Sequence, residues 1–444
     1  MGHPKFHREG NALLDTKQYL SFFKNELKEN LLGFWMPRCL DRENGGYFNC
    51  FTNDGSRLVS TDKYIWSQGR FLWLFSKLSM MQSDLFDDGE RALFLEYAAL
   101  GKQFLRAHAL IAPDDLRCVF LTDERGTPKA PAGCDVLDAS IFADCFVVMG
   151  FAAYAIANAD RDSYFFAKAL GESVWARYNG GKYRTLPYPL SDRYRAHSKP
   201  MILTNVNCEL CKAAKLFEAD YLPVLCERIA LCQCEVFEIF ADSEHLVHEV
   251  CYKNGGFPEN LFGEHINPGH VIEDMWFQLE AGDLLSKKDF ENEIALIVKN
   301  TVRVGWDREF GGFYHFARRD GDVLQGDLGD AADEPQMQLV LDDFGSKLWW
   351  VHSEALYTSL LLYDRTNDAE FLAIFEKTFD YVYKTFPNPD RSVREWIQIR
   401  TRDGKPQEKV VALPVKDPYH IIRNVILIIE LLEKRQKREE ANGK

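Results

Sequence analysis

The sequence predicts an all-α fold, an (α/α)6 barrel or toroid with short β-hairpins in the long loops at one mouth, formed as a single domain over residues 1–444. Three observations predict it. Twelve stretches repeat apolar residues with a period near 3.6, each long enough to be a helix. The connections between them alternate short and long. The long connections also resemble one another in sequence. Length by itself suggests about three domains, but one ring of six hairpins accounts for it, and no stretch has linker-like composition.

In chain order the helices are expected over 13–32, 63–82, 89–108, 138–158, 162–178, 200–217, 221–241, 270–286, 288–304, 347–365, 368–386 and 417–436. After each even-numbered helix the connection is short: Ser83 to Gly89, Asn158 to Asp162, Ala219 to Leu222, Leu285 to Lys288 and Asp364 to Asp368. After each odd-numbered helix it is long and rich in Gly, Pro and Asp: Gly33 to Asp62, Ala109 to Leu137, Asp242 to Gly269, Gly305 to Ser346 and Pro387 to Lys416. Short turns join antiparallel neighbours, whereas long structureless loops in a compact domain are unusual unless they do something. Hairpins with every long loop on one side are what a toroid needs, one helix set lining the centre and the other outside.

The loops share a pattern. Asp41-Arg42-Glu43-Asn44-Gly45-Gly46-Tyr47-Phe48 closely resembles Asp307-Arg308-Glu309-Phe310-Gly311-Gly312-Phe313-Tyr314, each leading to an Asp-Gly pair (Asp54-Gly55, Asp320-Gly321). Arg394-Glu395-Trp396-Ile397 with Asp403-Gly404 is a weaker third copy. Glycine pairs, alternation and Asp-Gly are hairpin chemistry. No G-x-x-x-x-G-K-[ST] or strand-linked G-x-G-x-x-G marks a phosphate cradle.

Composition narrows the partners. A net charge of -14 and a pI near 5.4 disfavour nucleic acid or an anionic membrane. No run of 18 apolar residues occurs, and Met1 to Gln18 has no signal-peptide core, so a cytoplasmic protein is expected. The 11 cysteines are an odd number scattered through apolar helical segments, which suits reduced thiols. Cys208 and Cys211 have zinc-knuckle spacing, with Cys226, Cys232 and Cys234 beyond, but as small residues of amphipathic helices they read as core, and no metal site is expected.

Chemistry gathers at the starts of the even-numbered helices. Asn267-Pro268-Gly269-His270-Val271-Ile272-Glu273 opens the eighth after the loop Gly255-Gly256-Phe257-Pro258-Glu259, and puts His270 and Glu273 on one face. Trp66, Gln68 and Arg70 open the second, Lys347, Trp349, Trp350, His352 and Glu354 the tenth, and Lys416, Pro418, Tyr419 and His420 the twelfth. In a barrel these converge on one mouth. A lone histidine such as His352 or His265 also suits a structural role, paired tryptophans suit packing, and Arg70 could pair with a core carboxylate. His270 and His420 stand out because both follow a long Pro/Gly loop at a helix start.

Four ordered motifs, Trp66-Ser67-Gln68-Gly69-Arg70, Asn267 to Glu273, Lys347-Leu348-Trp349-Trp350-Val351-His352-Ser353-Glu354-Ala355 and Pro418-Tyr419-His420, resemble the signatures of the N-acylglucosamine 2-epimerase superfamily over nearly the whole chain. The resemblance implies an (α/α)6 barrel that epimerises or isomerises sugars without a redox cofactor. It further implies His270 and His420 as paired acid and base, with Arg70 binding oxygens at the reacting carbons. Glu273 and Glu354 would hold hydroxyls or orient the histidines, and Trp349 and Trp350 would form the pocket wall. Trp66, His352, Lys347 and Asn205 complete the expected substrate contacts. The Trp-Trp-x-His-Ser-Glu-Ala form resembles the N-acylglucosamine branch, as does the apolar stretch Pro200 to Asn205, where cellobiose enzymes carry a further histidine at the start of the sixth helix. A homodimer and a nucleotide effector such as ATP are family possibilities, the latter without a motif here.

Inverting a centre beside a carbonyl requires removing the C2 proton of the open-chain sugar and returning it to the other face. Histidine, with an ordinary pKa of about 6.5, both accepts and donates near neutral pH. The intermediate enediolate needs a fixed cation, which Arg70 would supply. The expected function is therefore a sugar 2-epimerase acting on N-acetylglucosamine/N-acetylmannosamine or glucose/mannose. An aldose-ketose isomerase needs only one of the two bases. An (α/α)6 glycoside hydrolase would need a carboxylate pair, Glu273 with Glu354 or Asp144. A non-catalytic sugar-binding protein is the remaining class.

Overall fold

The structure is a computed structural model that describes residues 14–322 and 324–443. Its twelve barrel helices match the twelve periodic stretches: α1 Thr16–Asn25, continued by a π-helical turn Glu26–Leu31 and by Leu32–Trp35; α2 Ile65–Met80; α3 Asp88–His108; α4 Ile141–Ala157; α5 Arg161–Asn179; α6 Ser198–Phe217; α7 Leu222–Glu235, continued by Val236–Phe240; α8 Pro268–Leu285; α9 Glu291–Gly305; α10 Trp349–Thr366; α11 Ala369–Thr385; and α12 Tyr419–Ala441.

Burial separates the two layers. In α4 every residue from Ile141 to Ala155 is buried, as a helix apolar all round must be. In α9 a single stripe of Ile294, Ile297, Val298 and Thr301 is buried. The even-numbered helices pack side by side in order, and α12 returns to α2. Each of α3, α5, α7, α9 and α11 packs on the helix before it, while α1 packs on α12, so the two ends of the described chain close the ring. Helix starts are capped by side chains, including a reciprocal Asp87/Glu90 box on α3 and Asn267 on α8.

At the mouth the expected hairpins form in one loop, where Leu110–Ala112 pairs with Asp115–Cys118 and Leu121–Thr122 with Pro128–Lys129. Each repeated loop turns back on itself through isolated bridges: Leu40 with Tyr47 and Phe51 with Leu58, Trp306 with Phe313, and Pro387 with Trp396 and Arg400 with Pro406. The ladders mostly run between loops. Lys63–Tyr64 pairs with Leu121–Thr122, Tyr194–Ala196 with Val250–Tyr252, His265–Ile266 with Ala317–Arg318, and Lys347–Leu348 with Ile399–Arg400. Asn53 ties the first loop to the last, its Oδ1 accepting from the Gln398 and Ile399 amides at 2.8 and 2.9 Å. The extended residues before an inner helix thus pair with the next loop, and this ring of backbone bonds holds the helix starts in register. Two short helices, Leu261–Glu264 and Pro335–Asp343, lie in segments expected to be loop and share a small core with Phe316 and Tyr194. They are too short to show a period in sequence.

A buried lysine anchors each repeated loop. Lys63 Nζ donates to Asp41 Oδ2 at 2.7 Å and to the Gly45 carbonyl at 2.6 Å. Lys347 Nζ reaches Asp307 Oδ2 at 3.0 Å, and Lys416 Nζ reaches Glu395 Oε2 at 2.6 Å. The cysteines are all free; Cys208, Cys211 and Cys232 are buried among apolar side chains, and Cys234 is exposed.

Candidate active site

At the mouth a cavity of about 130 Å³ opens among the inner helix starts. It is lined by Trp66, Arg70, His270, Glu273, Trp349, Trp350, His420 and Arg423, with Tyr188 and the segment 411–413 from the loops. The first turn of α8 shows how sequence sets this up. Asn267 caps the helix by accepting from the His270 amide at 3.2 Å, and Pro268 begins it with φ already helical. A Cβ on Gly269 would lie 2.4 Å from Trp350 Cη2, so a glycine is needed for the indole to lie over this turn. Trp350 then contacts both histidines, with ring centroids 5.4 Å from His270 and 5.5 Å from His420.

His270 Nδ1 faces the Glu249 carboxylate at 3.0 and 3.1 Å. The carboxylate fixes the proton on Nδ1 and leaves Nε2 as the second nitrogen. Burial pulls the His270 pKa down, but Glu249, aided by Glu273 and Asp274, outweighs it and holds the imidazolium above its ordinary value. The side chain retains 18% exposure, toward the cavity it lines.

His420 has the same Nδ1 arrangement, donating to Glu354 Oε1 at 2.7 Å, with Arg70 Nη2 3.3 Å from Nε2. Burial pushes its pKa down to about 3; Glu273 opposes this, while the guanidinium groups of Arg70 and Arg423 add to it. His420 is therefore neutral at physiological pH. Arg70 is braced by Asp417 Oδ2 at 2.8 Å and packs against Phe146 and Tyr419. Arg423, fully buried, donates to both Glu273 and Glu354.

A pattern joins these residues. Seven positions after the buried loop lysines Lys63, Lys347 and Lys416 come Arg70, Glu354 and Arg423. All three point at His420. The loop repeat thus carries a repeat in site geometry. Donor atoms of Glu273, Glu354 and His420 lie within 4.8 Å of one another, a spacing that suits a metal ion, but the Arg423 guanidinium already ion-pairs with both carboxylates there.

The structure brings His270, His420, Arg70, Glu273, Trp66, Trp349 and Trp350 to one cavity and sets Glu354 directly behind His420. Three expected contacts lie elsewhere. His352 is fully buried, its Nε2 accepting from the Phe313 amide at 2.9 Å and its Nδ1 donating to the Leu348 carbonyl at 2.7 Å, so it holds the loop. Lys347 is consumed by Asp307. Asn205 lines a second cavity at the far end of the barrel. The sixth helix, expected to begin without a histidine, is in fact preceded by His197, whose Nε2 sits 2.7 Å from Asp274 and which does not line the reacting cavity. His265 is buried against the Phe262 carbonyl. Asp144 is buried on Arg177 and the Cys118 amide.

Glu249, Asp417 and Arg423 were missed. Arg423 left a signal, a charge inside the apolar run Ile421 to Ile429 and one turn from His420. Glu249 left none, because it comes from a loop whose path is set by pairing with another loop.

The sequence pattern of one family, N-acylglucosamine 2-epimerase (GlcNAc 2-epimerase), matches residues 46–424. The chain is 26% identical to N-acylglucosamine 2-epimerase of Bos taurus over 91% of this chain and 89% of that protein. It is 21% identical to D-mannose isomerase of Marinomonas mediterranea over 88% and 92%. Among solved structures, cellobiose 2-epimerase from Spirochaeta thermophila superposes with a TM-score of 0.74 at 20% identity, covering 95% of this chain and 98% of that one. No helix among the described residues is long and apolar enough to cross a membrane.

Proposed function

The chain belongs to the N-acylglucosamine 2-epimerase family, and from that premise we propose that it interconverts C2 epimers of a free monosaccharide, N-acetylglucosamine with N-acetylmannosamine or glucose with mannose, by proton transfer between His270 and His420. The single observation that carries this reading is the pair of imidazoles in contact with one indole, each with Nδ1 on a buried carboxylate and each lining the same cavity.

The opposite pKa shifts of the two rings support the assignment. Groups whose environments push their pKa values apart divide into acid and base. Neutral His420 removes the C2 proton of the open-chain aldose, with Nε2 taking it, and the electron pair moves into the C1–C2 bond as the carbonyl oxygen becomes an enediolate oxygen. Arg70, held in place by Asp417, is the fixed cation for that charge. His270, the ring whose pKa is held up, acts as the acid and delivers a proton to the opposite face of C2. In the reverse direction the roles exchange, and solvent exchange resets both rings. Trp350 and Trp349 provide apolar wall against the sugar's C–H faces.

A glycoside hydrolase would need an acid and a nucleophile or base facing the cavity. Glu273 and Glu354 instead share Arg423, and Glu354 is fully buried behind His420. Aldose-ketose isomerisation is the second reading, favoured by the D-mannose isomerase relative, and uses one histidine to carry the proton from C2 to C1. Incubation with N-acetylglucosamine, N-acetylmannosamine, glucose and mannose in D2O separates the two by NMR. The epimerase puts deuterium at C2 of both epimers without a ketose. Accumulation of a ketose reassigns the enzyme as an isomerase.

A further inference from the structure

At the barrel's other end, the inner helices enclose a cavity of about 420 Å³, larger than the reacting one. Trp73 and Trp276 form part of its wall, Asn205 and Arg423 lie on it, and lysines and carboxylates surround it. Most of its charges are paired, Lys212 with Glu209 and Glu280, Lys77 with Glu430 and Arg365 with Asp283, while Lys434 is exposed. An ionic ligand bonded to any of these paired groups would have to break a pair.

What is left over is of mixed kind. Asn205, 2% exposed, has an Oδ1 with no partner, and one oxygen of Glu280 is likewise unpaired; both are acceptors. Arg423, 1% exposed, has an unpartnered Nε–H, a donor. Buried polar atoms that lack a partner carry a cost of desolvation until one is supplied. A hydroxyl group both donates and accepts, so it answers both kinds. Indole faces suit the C–H side of a polyhydroxylated chain or ring.

We propose that this cavity is a binding site for a neutral, hydroxyl-rich molecule of monosaccharide size, separate from the reacting cavity. Arg423 lines both cavities. Its Nη2 holds the carboxylates around His420, while its Nε would bond the ligand. Occupancy of the far end therefore shifts the surroundings of His420, and this second part rests on the proposed role of that histidine.

The probe is D-glucitol, a polyol without a carbonyl that cannot form an enediolate. Binding is measured by calorimetric titration of the intact protein, of Ala153→Trp, which fills the cavity from α4, and of Asn205→Leu, which keeps the volume and removes the acceptor. The expected result is loss of binding in the first and weakening by about tenfold in the second, the worth of one hydrogen bond. Equal affinity in wild type and Asn205→Leu places glucitol elsewhere and overturns the site, whether or not Ala153→Trp folds. No heat of binding in wild type overturns it as well. In ¹⁵N-histidine NMR, glucitol is expected to shift the His420 ring resonances in wild type. An unmoved His420 signal with binding intact overturns the coupling and leaves the site, and that outcome is independent of whether the enzyme is an epimerase.

Discussion

His270 and His420 have the same local design and opposite outcomes. Each opens an inner helix, each gives Nδ1 to a buried carboxylate near 3 Å, and each touches Trp350. Yet His270 is held up and His420 is driven down to about 3. Burial lowers both rings and is the largest cause for each, and the charges around the two carboxylates differ. Glu249 has no arginine on it among its hydrogen-bond and ion-pair partners and acts as a full negative charge on His270. Glu354 shares its charge with Arg423, and Arg70 stands on the other side of the His420 ring. The lesson is that a histidine–carboxylate pair does not set a pKa by itself; burial and the charges on neighbouring residues act with it.

The strongest way to break this comparison is to remove each ring in turn. His270→Asn and His420→Asn should each lower epimerisation by about 10²- to 10⁴-fold, the usual worth of a positioned acid or base. They should differ in exchange. His270→Asn keeps His420 and should still wash deuterium into C2 of the epimer whose C2–H faces His420, without inverting it. Equal loss of exchange from both epimers in both variants would sink the two-base assignment.

Next in size is Arg423→Met. It leaves Glu273 and Glu354 buried and unpaired, and removing one partner of such a set costs about 3–5 kcal/mol, read as a lower urea midpoint. In any folded fraction the His420 pKa should rise, because one of the cations pushing it down is gone. A His420 titration unchanged in the variant would mean that burial by itself sets the value.

Glu249→Gln tests the other ring. A charged hydrogen bond of this kind is worth roughly 1.5–3 kcal/mol. Because the folded His270 pKa lies above its ordinary value of about 6.5, the stabilisation is complete below that value and is lost as pH rises through the folded pKa. The stability gap between wild type and variant should accordingly be widest in mild acid and close on the alkaline side. The alkaline limb of activity in the direction that uses His270 as acid should move to lower pH. A gap that widens with pH would reverse the sign of the argument.

The sequence was most legible where local rules act. All twelve helices and their layer order followed from period and loop length, because an inner helix such as α4 is apolar on every face and an outer one such as α9 on one stripe. His270 and His420 were found for the same reason, as helix-start residues after long loops. What stayed hidden depends on loop-to-loop pairing: Glu249 reaches His270 only because Val250–Tyr252 pairs with Tyr194–Ala196, and no local pattern announces it. The tenth helix misled in a different way, since Lys347 and His352 look like site residues by company and are turned toward the loop.

That last point yields the smallest and cleanest test. Gln68 and His352 occupy the same place on α2 and α10, five residues after the anchoring lysine. Gln68 Oε1 accepts from the Tyr47 amide at 2.8 Å, and His352 Nε2 accepts from the Phe313 amide at 2.9 Å, in the matching loop. Both loops pass close enough that a Cβ on Gly46 or Gly312, each at positive φ, would collide with these side chains. If His352 only holds its loop, His352→Leu should cost about 1–3 kcal/mol, the penalty of a buried amide left without an acceptor, with turnover unchanged per folded molecule. His352→Gln should recover most of that stability, because the equivalent loop is already held by a glutamine. A fall in turnover in the glutamine variant, with stability recovered, would instead return His352 to the reacting site.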